Sequence, residues 1–216
     1  MLNEIDGVIF DLDGTLVDSM WIWSKIDLDF IQERGLQMTP AELMEAVAHF
    51  SFMETAQYFK TRFALPETIE EIAGIWNRQA EIHYTTNVFL KNGVREFLLS
   101  LKAQGIKMGV ASSNSRHLVQ SCLDSLAISH YFHTVVTTDE SGAVSKSQPD
   151  VYLLAARRMA VEPDRTLVFE DVFSAMQGAK GAGMRVIGIK DKHTQLSDDS
   201  VLEICEAYLE DFTTLA

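Results

Sequence analysis

The sequence predicts a doubly wound α/β core with an all-helical domain inserted into it. Three observations carry this. Short apolar runs rich in β-branched and aromatic residues recur without strict alternation, as in parallel strands covered on both faces. Helical patterns separate those runs. Between the first run and the second, a long span has helical periodicity and no strand pattern. In chain order, Gly7-Val8-Ile9-Phe10 is the first strand, and helices follow over about 20–34, 40–49, 53–63 and 66–84. Residues 93–102 form a helix with Val94, Phe97, Leu98 and Leu101 at helical spacing, and 106–111 and 134–137 are the next two strands. Pro149-Asp150 opens a helix to residue 159, followed by a strand at 166–169, a helix at 175–182 and a strand at 185–189. The tail reads as a helix over 201–206 and an edge strand at 207–209. The expected division is a parallel-sheet, Rossmann-like core of residues 1–17 and 88–216, with a helical cap of residues 18–87.

Bulk properties narrow the function. The 216 residues carry a formal net charge of -13, a field that repels nucleic acid and anionic membranes and excludes both as expected partners. The same field repels an anionic substrate, so a phosphate site here needs a lysine or a metal ion. Cys122 and Cys205 sit in amphipathic stretches without metal-site spacing and read as reduced, packed thiols. The opening residues lack a signal-peptide layout and no apolar run approaches the roughly 20 residues that cross a bilayer, so a cytoplasmic protein is expected. A monomer or weak dimer is the expected state.

The chemistry concentrates at strand ends. The first strand runs into Asp11-Leu12-Asp13-Gly14-Thr15, placing two carboxylates at the edge where α/β sheets bind ligands, with Gly14 permitting an unusual turn. The second strand ends in Ser112-Ser113-Asn114 before a helix, a hydroxyl and backbone amides suited to cradling phosphate. Lys146 stands in the loop after the third strand, and Glu170-Asp171 end the fourth, offering oxygen ligands for a hard cation.

That ordered set resembles the haloacid dehalogenase superfamily over essentially the whole chain, with Asp11 to Thr15 similar to its first motif, Ser112 its second, Lys146 its third and Glu170-Asp171 its fourth. The helical insertion is similar to the cap of the subgroup containing phosphoglycolate phosphatase and β-phosphoglucomutase. The resemblance implies a magnesium-dependent phosphatase acting on a small phosphorylated metabolite through an aspartyl-phosphate. In it Asp11 is the nucleophile and Asp13 the general acid, then base. Magnesium (Mg2+) is held by Asp11, the Asp13 carbonyl and Asp171, with Glu170 acting through water or from behind. Lys146, Ser112, Ser113 and Gly14 surround the phosphate.

Departures bear on the details. Ser147-Gln148 stand where the family often has proline-containing sequence, and Val172 and Ala175 replace a frequent Ser and Gly. A β-phosphoglucomutase-like mutase is the principal alternative, but Trp23 stands where that type carries histidine and Thr15 where it tends to be hydrophobic. Lys25 leaves a phosphonatase with a cap Schiff base as a weaker option, Asp13 with Glu170 and Asp171 argues against a dehalogenase, and retention of every motif argues against a non-catalytic regulatory module. His49-Phe50-Ser51-Phe52 is the expected specificity loop, and Lys60, Arg62 and His83 are candidate anion contacts in the cap.

Overall fold

The computed structural model describes residues 4–47, 50, 52–194 and 196–215, with Met44 described by its backbone alone. The elements in order are β1 (Gly7–Phe10), α1 (Trp21–Glu33), α2 (Pro40–Val47), α3 (Phe52–Phe63), α4 (Ile69–Thr86), α5 (Val94–Ala103), β2 (Lys107–Ser112), α6 (Arg116–Ser125), β3 (Thr134–Thr137), α7 (Thr138–Ser141), α8 (Asp150–Met159), β4 (Thr166–Glu170), α9 (Phe173–Gly181), β5 (Arg185–Ile189), α10 (Asp198–Leu202) and β6 (Ala207–Leu209). The strands form one six-stranded sheet in the order β3-β2-β1-β4-β5-β6, every pairing parallel.

Alternation along β1 explains why both sheet faces are apolar. Phe10 points to one side, where it stacks on Phe169 with ring centroids 5.2 Å apart and meets Phe97 and Phe212 at 6.1 Å. Ile9 points to the other, into a cluster with Val168, Val186, Tyr152, Ala155 and Met176, supplied by β4, β5, α8 and α9. Register aligns Phe10 with both Val110 and Phe169, so Asp11, Ala111 and Glu170 emerge level at the carboxyl edge.

The chain divides into two compact units, Met1–Met20 with Tyr84–Ala216, and Trp21–His83. Among its described residues the second holds helices joined by short loops and no strand. Its core is aromatic: Phe30, Phe59 and Trp76 meet edge to face at 5.3–5.7 Å, Phe52 joins Trp76 at 5.8 Å, and Trp23 packs on Phe52 at 5.2 Å. Trp23 thus has a packing role at the position compared with a mutase histidine.

Several expected boundaries shift for local reasons. Helix α4 starts at Ile69 rather than 66 because Thr68 and Glu71 form a reciprocal cap: the Glu71 N–H donates to Thr68 Oγ1 at 3.1 Å and the Thr68 N–H to Glu71 Oε2 at 2.7 Å. Thr39 and Glu42 do the same before α2, at 3.3 and 2.7 Å. Strand β2 begins at Lys107 because the Ile106 N–H is taken by Leu101 O at the end of α5, and it reaches Ser112, paired with Thr137. The tail helix covers Asp198–Leu202 rather than 201–206: the Ser197 hydroxyl caps it early, and the Glu206 N–H donates to Val186 O at 2.8 Å as the chain joins the sheet. Cys205 therefore lies outside a helix. Both cysteines are free and buried, and burial pushes the Cys122 thiol up to about 12 and Cys205 to about 11.

Candidate active site

The carboxyl ends of β1 and β4, with the loop before α8, bring Asp11, Lys146, Glu170 and Asp171 together. All four are buried. The Asp11 N–H donates to Phe169 O at 3.0 Å, which ties its backbone to β4. Lys146 Nζ donates to Asp11 Oδ1 at 2.5 Å and also to Glu170 Oε1. Packing sets the lysine's place: a Cβ on Gly178 of α9 would fall 2.0 Å from the Lys146 carbonyl oxygen, so only glycine lets the loop lie against the helix.

Glu170 is saturated with donors. Its Oε1 lies 2.9 Å from the Tyr152 hydroxyl in addition to Lys146, and its Oε2 accepts from the Asp171 and Val172 N–H groups at 3.2 and 3.4 Å. Asp171 is the reverse case. Its Oδ1 has a long contact of 3.5 Å from Thr15 Oγ1, and its buried Oδ2 has no hydrogen-bond partner. A buried carboxylate oxygen without a donor is costly unless something else meets it. Gly14, at φ 80, keeps the space in front of that atom open, since a Cβ there would lie 2.3 Å from Asp171 Oδ2.

Electrostatics agree with the geometry. Burial pushes the Asp11 carboxyl well above the ordinary carboxylate range; Lys146 opposes this, while Glu170, Asp171 and Asp13 add to it. Asp171 is pushed up to about 7 by burial and then by Glu170. Burial disfavours the Lys146 ammonium, but Asp11 and Glu170 raise it above an ordinary lysine. Lys146 alone therefore does not keep Asp11 in the usual ionising range. Asp11, Glu170 and Asp171 each offer an oxygen, all within 4.8 Å of one another, and one ammonium against three carboxylates leaves the charge that a divalent cation balances. The all-oxygen set and the orphaned Asp171 Oδ2 fit a hard metal ion.

Asp13 takes no part in that triad with its side chain. It is half-buried and turned to a second set of groups: its Oδ1 accepts from Ser19 Oγ at 2.6 Å and from the Tyr84 hydroxyl at 2.5 Å, and its Oδ2 from Asn114 Nδ2 at 3.4 Å. Burial, and then the Asp13 charge, raise the Tyr84 phenol well above its usual value, so it stays a donor. Ser112 is buried, and its Oγ accepts from the Asn114 N–H at 3.0 Å; Ser113 is exposed at the turn. The Ser115 N–H is likewise taken, by Asn114 Oδ1 at 2.9 Å. Two of the amides expected to cradle phosphate are thus already bonded to neighbouring side chains.

Tyr84, Tyr152 and the side chain of Asn114, as distinct from its backbone amide, carry no role in the sequence reading. Tyr84 sits at the end of an amphipathic helix and Tyr152 inside another, with no motif around either. Asp191 was findable: it stands two residues past the end of β5 at the same edge of the sheet, is buried, and pairs with Lys91 at 3.0 Å.

The groups expected in the helical unit are occupied otherwise. Lys60 Nζ donates to Leu65 O at 3.2 Å and Glu67 O at 2.5 Å, Arg62 lies over the Phe63 ring, and His83 packs edge-on to Trp21. Lys25 pairs with Asp29 at 2.8 Å one helical turn away. In the expected specificity loop, Phe50 is exposed and packs on Tyr58, while His49 and Ser51 lie outside the described residues.

Comparison with known proteins gives this geometry a context. The pattern of the haloacid dehalogenase-like hydrolases matches residues 8–189. Hexitol phosphatase B of Escherichia coli (strain K12) is 27% identical over 195 residues, covering 89% of this chain and 87% of that protein. Beta-phosphoglucomutase of Bacillus subtilis (strain 168) is 31% identical over 210 residues, covering 90% and 88%. The crystal structure of CbbY from Rhodobacter sphaeroides in complex with phosphate superposes with a TM-score of 0.81 at 22% identity, covering 98% of this chain and 96% of that one, a likeness of fold. With the family pattern covering residues 8–189 of 216, the chain belongs to the haloacid dehalogenase-like hydrolase family.

Proposed function

We propose that this protein is a magnesium-dependent phosphatase that removes the phosphoryl group from a small phosphorylated metabolite through an aspartyl-phosphate on Asp11. The observation that carries the reading is the division of labour between two aspartates of one loop: Asp11 bound to Lys146 beside a metal-fitting pair of acids, and Asp13 turned away among hydroxyl and amide donors. Asp11 and Asp171 would hold the ion, with the Asp13 carbonyl. Glu170, its oxygens already bonded, fixes Lys146 and the turn that carries Asp171. Magnesium, when bound, neutralises charge on the transferring group and on Asp11.

Asp11 attacks phosphorus as Asp13 protonates the departing oxygen. Asp13 then removes a proton from the water that attacks the acyl phosphate and regenerates Asp11. Lys146 neutralises the nucleophile and the transferring oxygens, with Ser112, Ser113 and Gly14 forming the remaining wall. The lysine and the cation give an anionic substrate a local attraction within an acidic protein. We place the enzyme in the cytoplasm; no helix among the described residues is long and apolar enough to cross a membrane.

A sugar phosphomutase is the second reading, favoured by the 31% identity to beta-phosphoglucomutase. Against it stands Trp23, packed on Phe52 where that class carries histidine. Free phosphate and isomerised product are measured over a panel of sugar phosphates, nucleotides and phosphoglycolate. Phosphate release is expected, and isomerisation without release would overturn the reading. Chelation should silence turnover of p-nitrophenyl phosphate and magnesium restore it, whereas full activity in exhaustively chelated buffer would rule out the metal.

A further inference from the structure

We infer that Tyr84 is a positioning residue for Asp13, holding its carboxyl for proton delivery to the leaving group; this rests on the acid role of Asp13 proposed above. Two of the donors on Asp13 differ in kind. Ser19 belongs to the same loop and moves with it. Tyr84 comes from the end of α4, and its hydroxyl at 2.5 Å ties Asp13 Oδ1 to a different part of the core.

Tyr84 is itself fixed at three points. Its ring is fully buried, its carbonyl oxygen accepts from Ser125 Oγ of α6 at 3.2 Å, and its hydroxyl oxygen accepts from Asn114 Nδ2 at 2.9 Å. Asn114 is oriented in turn, because its Oδ1 accepts the Ser115 N–H at 2.9 Å and so turns Nδ2 toward the tyrosine. With its oxygen accepting from that amide, the Tyr84 hydroxyl donates its hydrogen to Asp13 Oδ1, beside the Ser19 hydroxyl that bonds the same oxygen. A proton donor acts only when held within about 0.5 Å of its productive position, and this chain of bonds sets that position from outside the loop.

As the bond from Asp11 to phosphorus forms and the bond from phosphorus to the leaving oxygen breaks, the Asp13 proton passes to that oxygen. How much this matters depends on the leaving group: p-nitrophenolate departs with little help, whereas a more basic phenolate needs the proton. kcat/KM reports the first irreversible step, so a series of aryl phosphates of rising phenol basicity isolates the acid step from hydrolysis of the acyl phosphate.

The experiment measures kcat/KM with magnesium for wild type, Tyr84→Phe and Asp13→Asn across that series, from p-nitrophenyl to phenyl phosphate. For Tyr84→Phe the loss should steepen along the series, at least about tenfold greater for phenyl than for p-nitrophenyl phosphate and no greater than the roughly 10²–10⁴-fold that acid catalysis supplies. A loss equal for both substrates, as from a structural defect, or no loss for either, overturns the inference. Asp13→Asn separates the two readings: if its own loss is flat along the series the acid role fails, while a steep Asp13→Asn beside a flat Tyr84→Phe removes only the tyrosine. Should Tyr84→Phe not fold, Asn114→Ala, which leaves the ring in place but removes the amide from both the Tyr84 hydroxyl and Asp13 Oδ2, should give a loss that also steepens along the series, and a flat response would count against the inference.

Discussion

Asp171 shows two demands in opposition: holding a cation, and staying folded without one. Burial, and then the Glu170 charge, push its carboxyl up to about 7 from an ordinary 3.8. Between those values the folded protein keeps a proton that the unfolded chain has released, so the stabilisation is complete below the lower value and lost as pH rises through the upper one, on the order of 4 kcal/mol. Asp11 acts in the same direction. The melting temperature of the metal-free protein should therefore fall as pH rises from about 4 to about 7; Asp171→Asn should flatten that fall and weaken stabilisation by magnesium, and a metal-free melting temperature that rises over this range would contradict the account. Removing Lys146 has the opposite sign. Lys146→Met leaves buried carboxylates without their ammonium and should cost about 3–5 kcal/mol in urea unfolding as well as activity. Asp11, Glu170 and Asp171 were legible as residues because each stands at a strand end, where chain position specifies the sheet edge, and Lys146 because it stands in the loop that follows the third strand. Tyr84, Asn114 and Tyr152 were not, because their partners lie 71, 101 and 18 residues away and no local pattern records such a pairing.

At the scale of elements, the site depends on how closely helices approach the loops that carry it. Gly178 is the sharpest case, with no room for a Cβ against the Lys146 carbonyl. Gly178→Ala should push the lysine loop off α9, costing about 1–3 kcal/mol by overpacking and lowering kcat in parallel; a variant of wild-type stability and activity would show the loop to be yielding. Sheet elements were read within a residue or so, since apolar strands flanked by polar turns are self-bounding. Helix starts were less legible. The Thr39–Glu42 and Thr68–Glu71 caps were present as Thr-x-x-Glu spacings, yet the proline preceding α4 drew the expected start upstream, and the brief α7 after β3 has no periodicity to read.

For the whole molecule, the net charge of -13 and the localised lysine act on the substrate in opposite senses. The long-range field is screened by salt within a Debye length of about 8 Å at physiological ionic strength, while buried Lys146 is screened much less. At saturating magnesium, kcat/KM for a dianionic phosphomonoester should rise as salt is raised from low to physiological strength, and a steep fall would mean that exposed cations steer the substrate instead. The central claim is that Asp11 carries the phosphoryl group, and acid quench during steady-state turnover followed by peptide mapping tests it most directly. The account predicts a phosphoryl adduct on Asp11 that requires magnesium and is absent from Asp11→Asn; sustained turnover with the adduct on another residue, or an Asp11→Asn variant that turns over normally, would contradict it.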